Sequence, residues 1–150
     1  MAYIKDQGEG GWIGVDFDGT LVEYHGWDTW NSFGKPIPRM LARVQQWLRD
    51  GQRVKIMTAR VAPRNGDGSA EICVKTGAKF TNDDMTRAIQ EWCIEHVGVA
   101  LEVTCVKDTM MIELWDDRAV QVIPNTGMTL AEEREAVAMA DAGKAFGDDN

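Results

Sequence analysis

Paired cysteines are missing from this chain of 150 residues. Cys73, Cys93 and Cys105 are odd in number and form no C-x-x-C pair, which argues against a disulfide framework and makes a reducing cytoplasm the expected compartment. The two histidines, His25 and His96, are not spaced with any cysteine as zinc ligands would be, so the thiols read as small apolar side chains. No apolar run approaches the roughly 18 residues that a membrane span needs, and the first residues, Met1 to Asp6, lack the pattern of a secretory leader. Basic residues are in deficit, 16 against 24 acids, for a net charge of -8. That deficit argues against sequence-independent binding to long nucleic acid, because such affinity comes largely from basic groups displacing counterions at phosphates. It still permits a small anionic substrate, since one local basic pocket can outweigh the average field.

What is present, 44% hydrophobic residues in a chain of this length, suits one soluble domain with a real core. The short apolar run Trp12-Ile13-Gly14-Val15 predicts a buried strand ending at Asp16-Phe17-Asp18-Gly19-Thr20. From Pro36 to Asp50 apolar residues fall at helical spacing, at Ile37, Met40, Leu41, Val44, Trp47 and Leu48, with Gly51 as the stop. A second strand, Arg53 to Met57, runs into Thr58-Ala59-Arg60. Residues 61–81 read as a loop with one short turn around Ala70 to Val74. A second helix starts at the Thr81-x-x-Asp84 capping pattern and continues to Gly98. Further strands are expected at Leu101 to Val106, Met111 to Trp115 and Val120 to Ile123. A helix from Thr129 to about Ala142 and a frayed end at 147–150 complete the chain.

Strands alternating with helices predict an α/β, Rossmann-like three-layer fold around a mostly parallel sheet, because parallel neighbours need crossover connections. No repeat or linker marks a second domain. The expected organisation is therefore a single domain over 1–150, with a core at about 12–124, a flap at about 21–35, a long loop at about 61–81 and a C-terminal helix with an acidic tail at about 129–150. In such a sheet the carboxyl ends of the strands share one edge, where ligands bind. The polar residues at those ends are Asp16 and Asp18, Thr58, Lys107, and Asp116 with Asp117. Carboxylates crowded on one edge repel one another, and the remedy is a raised pKa or a bound cation. Hard oxygen ligands suit Mg2+, which completes its shell with water and substrate phosphate. The lysine and the hydroxyl would then face the same anion as donors.

This pattern resembles the haloacid dehalogenase-like (HAD) hydrolases over about residues 12–124. Asp16-Phe17-Asp18-Gly19-Thr20 is similar to the first motif of that family, Thr58 to its second, Lys107 to its third and Glu113 to Arg118 to its fourth. The nearest look-alikes are small stand-alone bacterial and phage members with a minimal cap. The resemblance implies a magnesium-dependent phosphatase, a phosphoric monoester hydrolase, in which Asp16 is the nucleophile that forms an aspartyl-phosphate and Asp18 is the general acid and then base. It further implies that Thr58 hydrogen-bonds a phosphoryl oxygen beside the Ala59 amide, and that Lys107 neutralises the phosphoryl group. Gly19, Thr20 and Arg60 would line the substrate site. Asp16, the Asp18 carbonyl and Asp116 would hold the metal, with Asp117 direct or through water. An acid at position 18 favours phosphate over carbon-halogen chemistry.

The segment from Leu21 to Lys35 has room for a flap and not for a cap domain. Its Tyr24, His25, Trp27, Trp30 and Phe33 either stack on a base or sugar or pack the flap onto the core. Arg60, Arg64, Lys75 and Lys79 make the following long loop basic, either as a substrate rim or as a solvated surface. The expected substrate is a small phosphorylated metabolite or nucleotide, and an open site also admits a phosphorylated nucleic-acid end or protein. Two alternatives carry the same residue types: a receiver-like signalling domain with a phosphorylated aspartate, and a catalytically silent binding module. The C-terminal helix, with Leu130, Val137 and Met139, can pack on its own core or join a second copy in a homo-oligomer.

Overall fold

Every side chain of the first strand is buried, as suits a central parallel strand flanked on both edges. The computed structural model describes residues 10–26, 29–63, 71–73 and 75–145. In chain order the elements are β1 (Trp12–Val15), α1 (Pro38–Arg49), β2 (Arg53–Met57), β3 (Glu71–Ile72), β4 (Lys79–Phe80), α2 (Asn82–His96), β5 (Glu102–Thr104), β6 (Met111–Trp115) and α3 (Leu130–Ala145). The main sheet has the order β5-β2-β1-β6, and each of its pairings is parallel. The expected parallel α/β sheet is therefore present. The chain divides into two compact units, residues 1–117 and 118–150.

In the first unit, the strand period of two sorts β1 cleanly. Ile13 and Val15 pair with Val54 and Ile56 of β2 and join one hydrophobic cluster with Met40 and Val44 of α1 and with Met85, Ile89, Trp92 and Cys93 of α2. Both helices thus lie on one face of the sheet. This follows from handedness, because β1, β2 and β5 succeed one another in one direction and right-handed crossovers keep their helices on the same side. Pro38 opens α1, where its missing N–H costs nothing. Thr81 and Asp84 cap α2 reciprocally, the Thr81 hydroxyl accepting from the Asp84 amide at 3.1 Å and the Asp84 carboxylate from the Thr81 amide at 2.9 Å. Cys93 belongs to this core, and burial pushes its thiol up to about 11.

The opposite face carries Trp12, which is fully buried yet outside that cluster. No helix of the first unit covers it among the described residues. Residues 105–110 cross there instead, joining β5 to β6 past β2 and β1. Asp108 anchors this crossing by accepting from the Trp12 indole N–H at 2.8 Å, while the Lys55 ammonium lies 4.5 Å from the centre of the Trp12 ring and 3.9 Å from the Asp108 carboxylate. The expected third layer is thus replaced, within this unit, by a six-residue crossing. β5 is shorter than the Leu101 to Val106 reading because the chain leaves β2 after Thr104 to make that crossing.

Two insertions rise from this frame. Residues 21–37 form the flap, whose base is a short antiparallel stem: the Glu23 amide donates to the Lys35 carbonyl at 2.9 Å and the Ile37 amide to the Leu21 carbonyl at 2.8 Å. Gly34 is required there, since a Cβ would come 2.1 Å from the Glu23 carbonyl oxygen. The expected loop at 61–81 contains the β3–β4 hairpin, and the Trp30 ring of the flap stacks on Phe80 of β4 at 5.0 Å and 2°. Trp30 and Phe33 therefore pack the flap onto the core, whereas Tyr24 and His25 are exposed. Of the short turn expected around Ala70 to Val74, Glu71 and Ile72 form β3 instead, while Ala70 and Val74 lie outside the described residues, as do Trp27, Arg64 and the tail at 147–150.

In the second unit the strand expected at Val120 to Ile123 reduces to one antiparallel bridge, Val122 with Thr129, closed by the Ile123 amide donating to the Met128 carbonyl at 2.8 Å. Its apolar run is too short to build a further strand before Pro124. The Thr129 hydroxyl accepts from the Glu132 amide at 3.2 Å and caps α3, which runs three residues beyond the expected Ala142.

Gly34→Ala should destabilise the fold by about 2 kcal/mol, because the obstructing atom is backbone and the stem must open to admit the methyl group. Urea unfolding followed by tryptophan fluorescence measures this directly.

Candidate active site

β2 and β5 lie to one side of β1 in chain order, and the chain then returns to place β6 on the other side. The order of the strands reverses between β1 and β6, and the carboxyl edge at such a switch point is where α/β sheets leave a crevice. Asp16 follows β1 and Asp116 follows β6. The two segments stay in register, since the Asp16 amide donates to the Trp115 carbonyl at 2.9 Å. Asp16, Asp116 and Asp117 each offer an oxygen within 4.8 Å of the others.

Gly19 makes room for this cluster. Its φ of +82° turns the chain back over the edge, and a Cβ there would meet the Asp117 carboxylate at 2.6 Å. The turn itself is held by the Phe17 carbonyl, which accepts from the Leu21 and Val22 amides at 3.1 and 3.0 Å. The Thr20 hydroxyl donates to Asp16 Oδ2 at 3.3 Å.

Burial raises the Asp16 carboxyl from its ordinary 3.8 to about 7, reinforced by the hydrogen bond with Asp117 and the charge of Asp116, while the Phe17 amide pulls the other way. Three hard oxygen donors this close together fit a divalent cation such as magnesium. Asp18 does not join the three. Both its oxygens accept from Arg60, Oδ2 from Nε at 2.5 Å and Oδ1 from Nη2 at 2.7 Å. This is a fork-to-fork pair with a guanidinium that is only 5% exposed. The Phe33 ring lies 4.9 Å from the same guanidinium, and Phe33 also meets the Phe17 ring edge-on at 5.1 Å.

Thr58 follows β2 and is buried, and its hydroxyl oxygen accepts from the Arg60 amide at 3.1 Å. It therefore caps the 3-10 turn Ala59–Val61, which aims Arg60 toward Asp18. Ala59 is exposed beside it. Lys107 lies in the crossing from β5 to β6. It is exposed, pairs with no described residue, and precedes Asp108, which is tied to Trp12 at the amino end of β1. Asp16 lies four residues further along, about 13 Å at the rise of a strand. The cation bonded to the Asp16–Asp18 turn is Arg60. Sequence reading counted Arg60 among the substrate-lining residues and missed its pairing with Asp18. The available signal was an arginine three residues past the end of a strand, where a solvated charge is out of place. No family model, curated protein or solved structure matches this chain.

The raised Asp16 carboxyl has a defined consequence for stability. Between about pH 4 and pH 7 the folded protein holds a proton here that the unfolded chain has released, so the metal-free protein should lose stability as pH rises through that window. Asp116→Asn should flatten the slope. Magnesium should raise the unfolding temperature more at pH 8 than at pH 4, where it must displace a proton. Thermal unfolding across pH, with and without the metal, checks both signs.

Proposed function

We propose that the protein is a HAD-like phosphatase, a magnesium-dependent phosphoric monoester hydrolase that works through an aspartyl-phosphate on Asp16. The observation that carries this reading is the convergence of Asp16, Asp116 and Asp117 at the sheet's switch point, with Asp18 on the same turn. Magnesium held by Asp16, Asp116 and the Asp18 carbonyl, with Asp117 beside it, would offset the crowded negative charge and make the edge receptive to a phosphoryl dianion.

The chain's own groups then divide the work. An Asp16 oxygen attacks phosphorus as the bond to the leaving oxygen breaks, and Asp18 gives that oxygen its proton. Water next attacks the phosphorus of the aspartyl-phosphate, passing its proton to Asp18, and the bond from phosphorus to Asp16 breaks to release phosphate. The Thr58 hydroxyl accepts from the Arg60 amide and so keeps its own hydrogen for a phosphoryl oxygen, beside the Ala59 amide. Gly19 and Thr20 shape the turn on which Asp16 and Asp18 sit. The substrate class is a small phosphorylated metabolite or nucleotide, acted on in the cytoplasm.

Asp16→Asn should lower kcat for an aryl phosphate in the presence of magnesium by about a thousandfold or more. Wild-type protein quenched during turnover should carry one phosphoryl group on Asp16. Unchanged turnover in Asp16→Asn would overturn the mechanism. Asp18→Asn should cost roughly a hundredfold or more on an alkyl phosphate.

A further inference from the structure

Resting on the phosphatase reading, we propose that Arg60 is a positioning residue for Asp18 and that the flap, through Phe33, holds Arg60 in place. A carboxylate on a turn can adopt several rotamers, of which few aim an oxygen at a leaving group beside Asp16. Two parallel bonds from a planar guanidinium remove that freedom. They leave a place for the proton that Asp18 must carry before it can act as an acid, since each carboxylate oxygen has a second lone pair and the fork occupies only one of each.

The guanidinium is itself fixed from two other directions. The Arg60 backbone is tied to the Thr58 hydroxyl just after β2, and the guanidinium carbon lies over the Phe33 ring, 4.9 Å from its centre. Phe33 rests on Phe17, the residue between the two aspartates, and Phe17 meets Trp92 of α2 edge-on at 5.2 Å. The Trp92 indole N–H donates to the Gly34 carbonyl at 3.2 Å. The flap's returning arm is thus bonded to α2 at the residue next to Phe33. A flap built only to cover substrate would not need its aromatic side chain on the acid–base pair.

The test compares two probes with magnesium: 2,4-dinitrophenyl phosphate, whose leaving oxygen needs no proton, and an alkyl phosphate, whose leaving oxygen does. Arg60→Gln should lower kcat on the alkyl phosphate by about a hundredfold with KM little changed. The first-turnover release of dinitrophenol should stay near the wild-type rate. Arg60→Lys should not restore the loss, because a single ammonium cannot make two parallel bonds. Phe33→Leu, which keeps the arginine, should show the same leaving-group dependence at smaller size, and it carries the test if Arg60→Gln does not fold. A rise in KM on both probes, or an equal loss on both, would overturn the positioning role. If Asp16→Asn remains active, the phosphatase reading falls and takes this proposal with it. If Asp16→Asn is inactive but Arg60→Gln shows no leaving-group dependence, the positioning role alone fails.

Discussion

Parallel pairing of β1 on both of its edges is the constraint from which the rest follows. A strand buried on both faces and bonded on both sides has only its ends at which to present polar groups, and its carboxyl end falls where the strand order reverses. Asp16 is placed there by the backbone, and β6 brings Asp116 and Asp117 to the same edge. Burial first, and then the neighbouring carboxylates, raise the Asp16 carboxyl, so the sheet holds the cluster together at a cost. In the proposed function that cost becomes affinity for a cation.

The second aspartate has a different environment two residues away. Asp16 looks toward the other carboxylates, whereas Asp18 turns toward β2 and meets a guanidinium. One turn therefore separates two carboxylates into one set crowded with like charge and one balanced by opposite charge. Without a cation the crowding falls on the proposed nucleophile and the counter-charge on the proposed proton carrier, the reverse of what those roles call for, and a bound magnesium would give Asp16 the counter-charge that an attacking carboxylate needs.

The sequence made the parallel sheet, both core helices and the carboxylate cluster legible, because each rests on local rules. Ile13 and Val15 alternate with Trp12 and Gly14, Thr81 and Asp84 form a capping pattern, and acids follow apolar runs. What stayed hidden depends on contacts between distant segments. Lys107 follows a strand candidate just as Thr58 does, but its strand ends early because residues 105–110 cross the sheet to Trp12. Arg60 reads as one more basic residue of a loop until the 3-10 turn after Thr58 aims it inward. The hairpin at 71–80 escaped because strands of two residues carry too little periodicity to register. The aromatic flap residues left two readings open, and only the partners of Trp30 and Phe33, Phe80 and Phe17, decide that these two pack inward.

The crossing from β5 to β6 has a consequence for how this protein tolerates changes in length. It contains no helix to absorb an inserted or deleted residue, and the turn after Asp108 feeds straight into β6. Side chains along β6 alternate between faces, so a single-residue change in the crossing would exchange the face bearing Glu113 and Trp115 for the other. The same slip would carry Asp116 and Asp117 away from Asp16. The spacing of the three carboxylates is thus measured out by a segment that ends beside Trp12, at the opposite end of β1, and the chain can vary in length far more safely around the exposed Tyr24 and His25 of the flap.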